Sequence, residues 1–499
     1  MKILPVKELF NYKTLLLFLS LCVIVLSQTY FDLDGRTSPD STYYLRLAKN
    51  FVDGEGFYIP DHTAKSGQSF FAIWPVGYPV MIYLVSKFTG LGVLWASKIL
   101  NLIIIATILI LFQHIFKKNS HWAGLMLFVD SFILIFTFTW SEVPFILFLL
   151  FISISLYKSV ETKGNIFWLA VLFFSGIVLF LIRYIGLFSV ALVGLIALIH
   201  LFKREWIFSI KLMAIGLLQT AFAGLYLYHN KLLTGYMTGM PRNLPKESNL
   251  ELFNQLTEAL KDEYIVIKCG IPMILSTALL LLLGIYLFMV RKKNQPVQRS
   301  HELWKYFLLA GLLYFGAIVG AKWFSDFMPL DFRYLFPSSF MLILALATYL
   351  QGKPGLGIMN STFLYLAIWI VLTIHYIPQT NYILTYFKTG INKFETKSNF
   401  IKNIREISET YKEIEPRSIV YFGSDHLRYM RESVIPSDIY GKHSFEDMID
   451  YATRNGEWNV YVRIVNDLDP DLYHESFIRF MEDNKDKKIV KVFGTSRFR

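Results

Sequence analysis

The chain has 499 residues, of which 54% are apolar and 44 are Phe, and its formal net charge is +11. Several apolar runs reach the ~18–20 residues needed to cross a ~30 Å hydrocarbon core. Backbone groups in lipid must bond within their own segment, so these runs exclude a soluble enzyme and predict a polytopic α-helical membrane protein. The positive charge sits in short Lys- and Arg-bearing loops, where it orients spans, and it implies no nucleic-acid partner.

In chain order, Leu15 to Phe31 follows Lys2, Lys7 and Lys13 and lacks an Ala-x-Ala site, which predicts an uncleaved anchor. A polar first loop, 33–92, comes next. It opens Ser38-Pro39-Asp40-Ser41-Thr42-Tyr43-Tyr44, continues to Gly54-Glu55-Gly56-Phe57, and reaches Trp74-Pro75-Val76-Gly77-Tyr78-Pro79. Ser38 suits an N-cap and Pro39 the first helical position. Tyr43, Tyr44, Leu47, Ala48 and Phe51 then recur at helical spacing, an apolar face expected at the membrane surface. Residues 76–90 are too short to span and contain Pro79, so an interfacial helix is expected there.

Further spans are expected near 93–116, 122–139, 143–158, 166–182, 186–202, 208–230, 269–290, 305–322, 333–350 and 359–378. With the anchor at 14–32 this makes a bundle of about 11 to 13 transmembrane helices. With 76–90 lying flat, Lys117-Lys118, Lys158/Lys163, Lys203-Arg204, Arg291-Lys292-Lys293 and Lys353 share the side of the N-terminus. That side is cytoplasmic by the positive-inside rule, and the expected location is the cytoplasmic (inner) membrane. Domain 1–380 is then transmembrane, and Asp32, Asp34, Asp40, Glu142, Arg183, Arg242 and Asp326 to Arg333 meet on the outer face. Beyond 380 charge rises and spans stop. A helix over 393–412 and strands at 418–423, 459–465 and 488–493 predict a small extracytoplasmic α/β domain, 381–499.

Charges at a membrane edge are costly and often functional. Asp40 has two readings: it complements a helix dipole, or it accepts the proton of an attacking hydroxyl. Asp34 is the candidate second carboxylate. With Asp32 and Glu142 it offers oxygens to a hard cation, but no dense Asp-x-Asp-x-Asp spacing is present. No metal ligand is therefore assigned and no cofactor expected, a divalent cation being the alternative. Glu142 either caps its helix or lines a site. Arg183 either snorkels or clamps a phosphate. Arg333 either pairs with Asp331 or does the same, with Tyr334 beside it. Lys322 and Arg242 read as surface charges, and His62 as solvated. Cys22 and Cys269 lie far apart, with neither disulfide nor metal-ligand spacing.

The anchor, the loop Pro-Asp-Ser-x-Tyr-Tyr-Leu-x-Leu-Ala-Lys-Asn, the Gly-x-Gly-Phe and the Trp-Pro-x-Gly-Tyr-Pro resemble the GT-C superfamily of membrane glycosyltransferases. The nearest branch is that of the bacterial protein O-mannosyltransferases and the lipid A aminoarabinose transferase. Ser141-Glu142, the Arg-x-x-Gly at 183–186 and the Arg-Tyr-x-x-Pro at 333–337 follow in the order that family shows. The resemblance covers roughly 10–380. It implies a polyprenyl-phosphate-linked sugar donor, a lipid, polysaccharide or protein acceptor, and inverting displacement at the outer face. Asp40 would match the general base and Arg333 a donor-phosphate contact, with Glu142, Arg183, Tyr44 and Tyr334 lining the cavity. The family loop often reads Asp-Glu, whereas Ser41 follows Asp40 here. A flippase for lipid-linked saccharides and a polysaccharide polymerase or ligase are the alternatives. Spans nearly free of charge speak against the first.

Overall fold

A computed structural model describes residues 12–61, 68–241, 245, 247–264, 302–325, 327, 329–351, 362–377, 400–421, 424–431, 434–437, 459–464 and 489–493. The first helix, α1, is Tyr12–Phe31, followed by α2, Pro39–Asp53. A hairpin of β1, Tyr58–Pro60, and β2, Gln68–Phe70, leads to α3, Gly77–Thr89, and α4, Val93–Phe116. Next come α5, Ser120–Gly124; α6, Asp130–Thr137; α7, Glu142–Glu161; α8, Ile166–Ile182; α9, Phe188–Phe202; and α10, Trp206–Thr234. Helices α11, Asn249–Tyr264; α12, Leu303–Phe324; α13, Phe332–Gln351; and α14, Thr362–Tyr376, complete this part. The C-terminal part holds α15, Phe400–Thr410; β3, Ser418–Tyr421; α16, Leu427–Met430; β4, Val434–Ser437; β5, Asn459–Ile464; and β6, Ile489–Phe493.

Among the described residues seven helices are long and apolar enough to cross a membrane. The chain is a polytopic helical membrane protein. Every expected span coincides with a helix or a bent pair, apart from 269–290, which lies outside the described residues with Cys269, His62 and Arg242. The expected span 122–139 is bent. The segments Ser120–Phe128 and Asp130–Thr137 meet at 76°, because Val129 is extended at φ −63°, ψ 140°.

Two compact units emerge. The first comprises residues 1–27, 72–78 and 98–390. In it α7 packs on α8, α9 on α10 and α12 on α13, while α12 also touches α7. Two motif glycines are explained by close approach. A Cβ on Gly77 would lie 2.6 Å from the Leu181 carbonyl oxygen, and one on Gly186 would collide with the Leu179 carbonyl. Both glycines therefore pack against the end of α8, the turn that presents Arg183.

The second unit comprises 28–71, 79–97 and 391–499. Its strands form a parallel sheet in the order β4-β3-β5-β6. Ser418 pairs with Val434 on one side and with Asn459 on the other. Ile407, Tyr411, Val420, Leu427 and Val434 form a core on the sheet. Helix α2 starts as expected: Ser38 and Ser41 make a reciprocal capping box, Pro39 opens the first turn, and Gly54 closes the helix at φ 82°. Its apolar stripe differs from expectation. Tyr44, Leu47 and Ala48 are buried, in a helix that packs on α16 and β1. The stripe serves protein packing, because an apolar face does not distinguish protein from lipid.

Gly186→Ala is expected to cost about 1–3 kcal/mol by overpacking, read as a lower thermal midpoint in detergent. Gly194→Ala, where nothing lies within 4 Å of the added carbon, should leave the midpoint unchanged. Equal midpoints for both variants would contradict the close approach.

Candidate active site

In the first unit, three span ends converge on one carboxylate. Glu142 begins α7, Arg183 follows the last residue of α8, and Arg333 stands in the first turn of α13. Glu142 is fully buried. Its Oε1 accepts from Arg333 Nε at 2.5 Å and pairs with Arg183 Nη1. Two guanidiniums thus share one carboxylate oxygen. The second oxygen, Oε2, has no hydrogen-bond partner among the described residues.

Aromatic rings wall the cluster. Arg333 lies over the Trp140 ring at 4.6 Å, and Arg183 lies 5.9 Å from the Tyr334 centroid. Phe138 stacks on Trp140 with centroids 4.3 Å apart. Cation–π contacts of this kind strengthen as water is withdrawn. Tyr314 is fully buried, and its hydroxyl has no hydrogen-bond partner among the described residues. Its ring packs between Phe145 and Phe188.

The segment leading into Glu142 is held from the side by α4. Fully buried Lys98 donates to the Thr137 carbonyl at 2.8 Å and to Thr139 Oγ1 at 3.0 Å. Asn101 Nδ2 donates to the Phe136 and Phe138 carbonyls, each at 2.9 Å. These bonds satisfy carbonyls left over where α6 stops, and they fix the register of Trp140, Ser141 and Glu142. Lys98 and Asn101 sit in an apolar run and carry no motif; the only sequence signal is their polarity inside a span.

The local alternatives resolve in geometric terms. Ser141 precedes α7 without a side-chain cap bond, and the Glu142 carboxylate goes to the arginines. The Arg333 guanidinium bonds Glu142, with the Asp331 carboxylate also close enough to attract it. Asp331 Oδ1 accepts from the backbone N–H groups of Arg333, at 2.9 Å, and Tyr334, at 3.3 Å. Lys322, expected as a surface charge, is 1% exposed and donates to Glu247 at 2.8 Å and to the Phe327 carbonyl. The apolar environment near a helix end compels that pairing.

The remaining candidates belong to the second unit. Asp40 stands half-buried in the first turn of α2, and Tyr44, one turn on, is 1% exposed. Asp34 is largely exposed, with Oδ1 3.6 Å from His426 Nε2. Asp32 organises its own turn, accepting from the N–H groups of Asp34 and Arg36 and pairing with the Arg36 guanidinium. The sequence reading missed His426, whose ring is 2% exposed. A lone histidine outside any motif carries no signal.

No family model matches the chain, and no curated protein matches it in sequence. Among solved structures it is similar to ArnT from Cupriavidus metallidurans bound to undecaprenyl phosphate. The TM-score is 0.50 and the identity 12%, over 88% of each chain. At that identity the likeness is one of fold alone.

Removing one member of a buried ionic cluster leaves the others uncompensated, at about 3–5 kcal/mol. Glu142→Ala is therefore expected to lower the thermal midpoint in detergent well beyond what Glu161→Ala does at the opposite, exposed end of α7. Matching midpoints for the two variants would show that the arginines do not depend on Glu142.

Proposed function

We propose that the chain is a glycosyltransferase that moves a sugar from a polyprenyl-phosphate-linked donor to an acceptor hydroxyl at the outer face of the cytoplasmic membrane. The observation that carries this reading is the pair of arginines on Glu142. A guanidinium has five donors in a planar fork matched to phosphate, so Arg183 and Arg333 can hold Glu142 and a second anion at once. The GT-C type of fold supports the same reading. So does the ligand of ArnT, undecaprenyl phosphate, bound to a protein of similar fold.

In the step proposed, the acceptor oxygen attacks the anomeric carbon as the bond from that carbon to the phosphate oxygen breaks. Configuration inverts. The acceptor proton passes to the Asp40 carboxylate, and the departing polyprenyl phosphate keeps its negative charge against Arg333 and Arg183. Donors fixed in advance and screened from water stabilise such developing charge strongly. Glu142 orients both guanidiniums, while Trp140 and Tyr334 shield them. Tyr44, being buried, serves through the placement of α2. The step as written assigns no role to a divalent cation.

Helix polarity supports the sidedness. Glu142 begins α7 and Lys158 lies in its last turn, about 24 Å away along a helix rising 1.5 Å per residue. Arg183 ends α8, at the opposite end from Lys163 and Gly164, and α9 runs from Leu187 to Lys203. Lysine clusters thus mark one set of helix ends and the arginine pair the other, as a cytoplasmic N-terminus and an outer site require. The division into a transmembrane domain, 1–380, and an extracytoplasmic domain, 381–499, belongs to the same proposal.

The test is mass spectrometry of envelope glycans from a strain lacking the protein, complemented with wild type, Asp40→Asn or Arg333→Lys. Wild type should restore a missing sugar, and Asp40→Asn should fail while accumulating as folded protein. Arg333→Lys, which keeps charge but loses the fork, should restore it only in part. Full restoration by Asp40→Asn would remove Asp40 as base. An unchanged glycan profile under every complement would overturn the transferase reading.

A further inference from the structure

The second unit contains a cavity of roughly 310 Å³ whose chemistry is opposite to that of the arginine cluster. It is lined by Asp34, Thr37, Ser38, Ser424, Asp425 and His426, together with Asn403 and Ile407. Two carboxylates face it, and no lysine or arginine is among its described lining residues. Such a surface repels a phosphate. It is rich in acceptors, with hydroxyls that both donate and accept. The volume falls at the small end of the ~300–1,000 Å³ typical of small-molecule sites, room for one sugar ring rather than a glycan chain.

One lining group is fixed from behind. The His426 side chain is 3% exposed, and its Nδ1 lies 2.7 Å from the Tyr429 hydroxyl. Burial pushes the Tyr429 phenol up from its ordinary value, so it stays protonated at neutral pH. When the phenol donates to Nδ1, the imidazole proton sits on Nε2. When the ring is cationic, Nε2 carries a proton as well. The third arrangement turns the Nε2 lone pair toward the Asp34 carboxylate, 3.6 Å away, and is repulsive. Nε2–H is therefore a donor held beside the Asp34 acceptor. Asn403 is immobilised on the other wall, its Nδ2 donating to the Leu33 carbonyl at 2.6 Å, which leaves its position in the wall fixed. A rigid donor next to a carboxylate recognises a hydroxyl that accepts and donates at once.

We infer that this cavity is a carbohydrate subsite for the acceptor, taking an uncharged or amino-bearing sugar through its hydroxyls, with Asp34 and the Nε2–H of His426 as the central contacts. Its sign argues against the donor sugar, which carries a phosphate one bond from the ring. The cavity also includes Ser38 and Pro39, the residues that start the turn bearing Asp40. The inference rests on the transferase reading only for the word acceptor; the binding chemistry stands by itself.

The experiment uses the full-length protein in lipid nanodiscs and ligand-observed NMR. The probes are methyl α-glucoside, methyl α-mannoside, glucosamine and glucose 1-phosphate. At least one phosphate-free probe should bind in the millimolar range, and any binding of glucose 1-phosphate, which the arginine pair can hold, should be unaffected by Asp34→Leu. Asp34→Leu and His426→Phe should each weaken binding of the phosphate-free probe at least tenfold. Tyr429→Phe, which deletes one oxygen and spares the packing, should weaken it too. Glu161→Gln, in the other unit, should leave it unchanged. The inference is overturned if no phosphate-free probe binds wild type, if Asp34→Leu weakens glucose 1-phosphate as much as the phosphate-free probes, or if the folded Tyr429→Phe and His426→Phe proteins bind like wild type. Binding is read without turnover, so failure of the transferase reading and failure of this subsite give separate results.

Discussion

The buried carboxylate of Glu142 is the constraint on which the first unit depends. Charges at the end of a membrane span are expensive to desolvate, and two guanidiniums side by side repel. One carboxylate offsets both and ties three helices that are far apart in sequence. Because Arg183 and Arg333 share Oε1, a displacement of α7, α8 or α13 disturbs both pairs at once. The surroundings read as consequences. Trp140 and Tyr334 cover the guanidiniums, Gly77 and Gly186 let backbone approach the end of α8, and Lys98 with Asn101 hold the strand of chain that delivers Glu142.

The two units divide their electrostatics. One concentrates positive charge around a single carboxylate; the other lines a cavity with carboxylates and hydroxyls. The phosphate-linked donor and the hydroxyl acceptor of the proposed transfer differ in the same way.

Much of this was legible in the residues, for identifiable reasons. Long apolar runs specify spans because lipid leaves the backbone no other solution, and the boundaries of α4 and α8 coincide with the expected ones. Ser38, Pro39 and Gly54 declare the ends of α2 through local bonds alone. Glu142, Arg183 and Arg333 stood out because each interrupts apolar sequence. What stayed hidden depends on distant partners. Arg333 has a tempting neighbour in Asp331, and only the fold reveals that its side chain reaches a residue 191 positions away. The break at Val129 lies in an uninterrupted apolar stretch. Strand β4, Val-Ile-Pro-Ser, is short and contains Pro436, which weakens any strand signal; it is tolerated because β4 lies at the edge of its sheet. His426 acquires meaning only beside Asp34 and Tyr429.

The break at Val129 also makes two segments depend on each other. Helix α6 has 8 residues, about 12 Å at 1.5 Å per residue, less than half the thickness of the hydrocarbon core. It stops with carbonyls that lipid cannot solvate, and their donors, Lys98 and Asn101, come from α4. Neither piece is therefore self-sufficient. A buried ammonium is as unwelcome in an apolar interior as a bare carbonyl, and each offsets the other's cost only once α4 and the end of α6 are packed together.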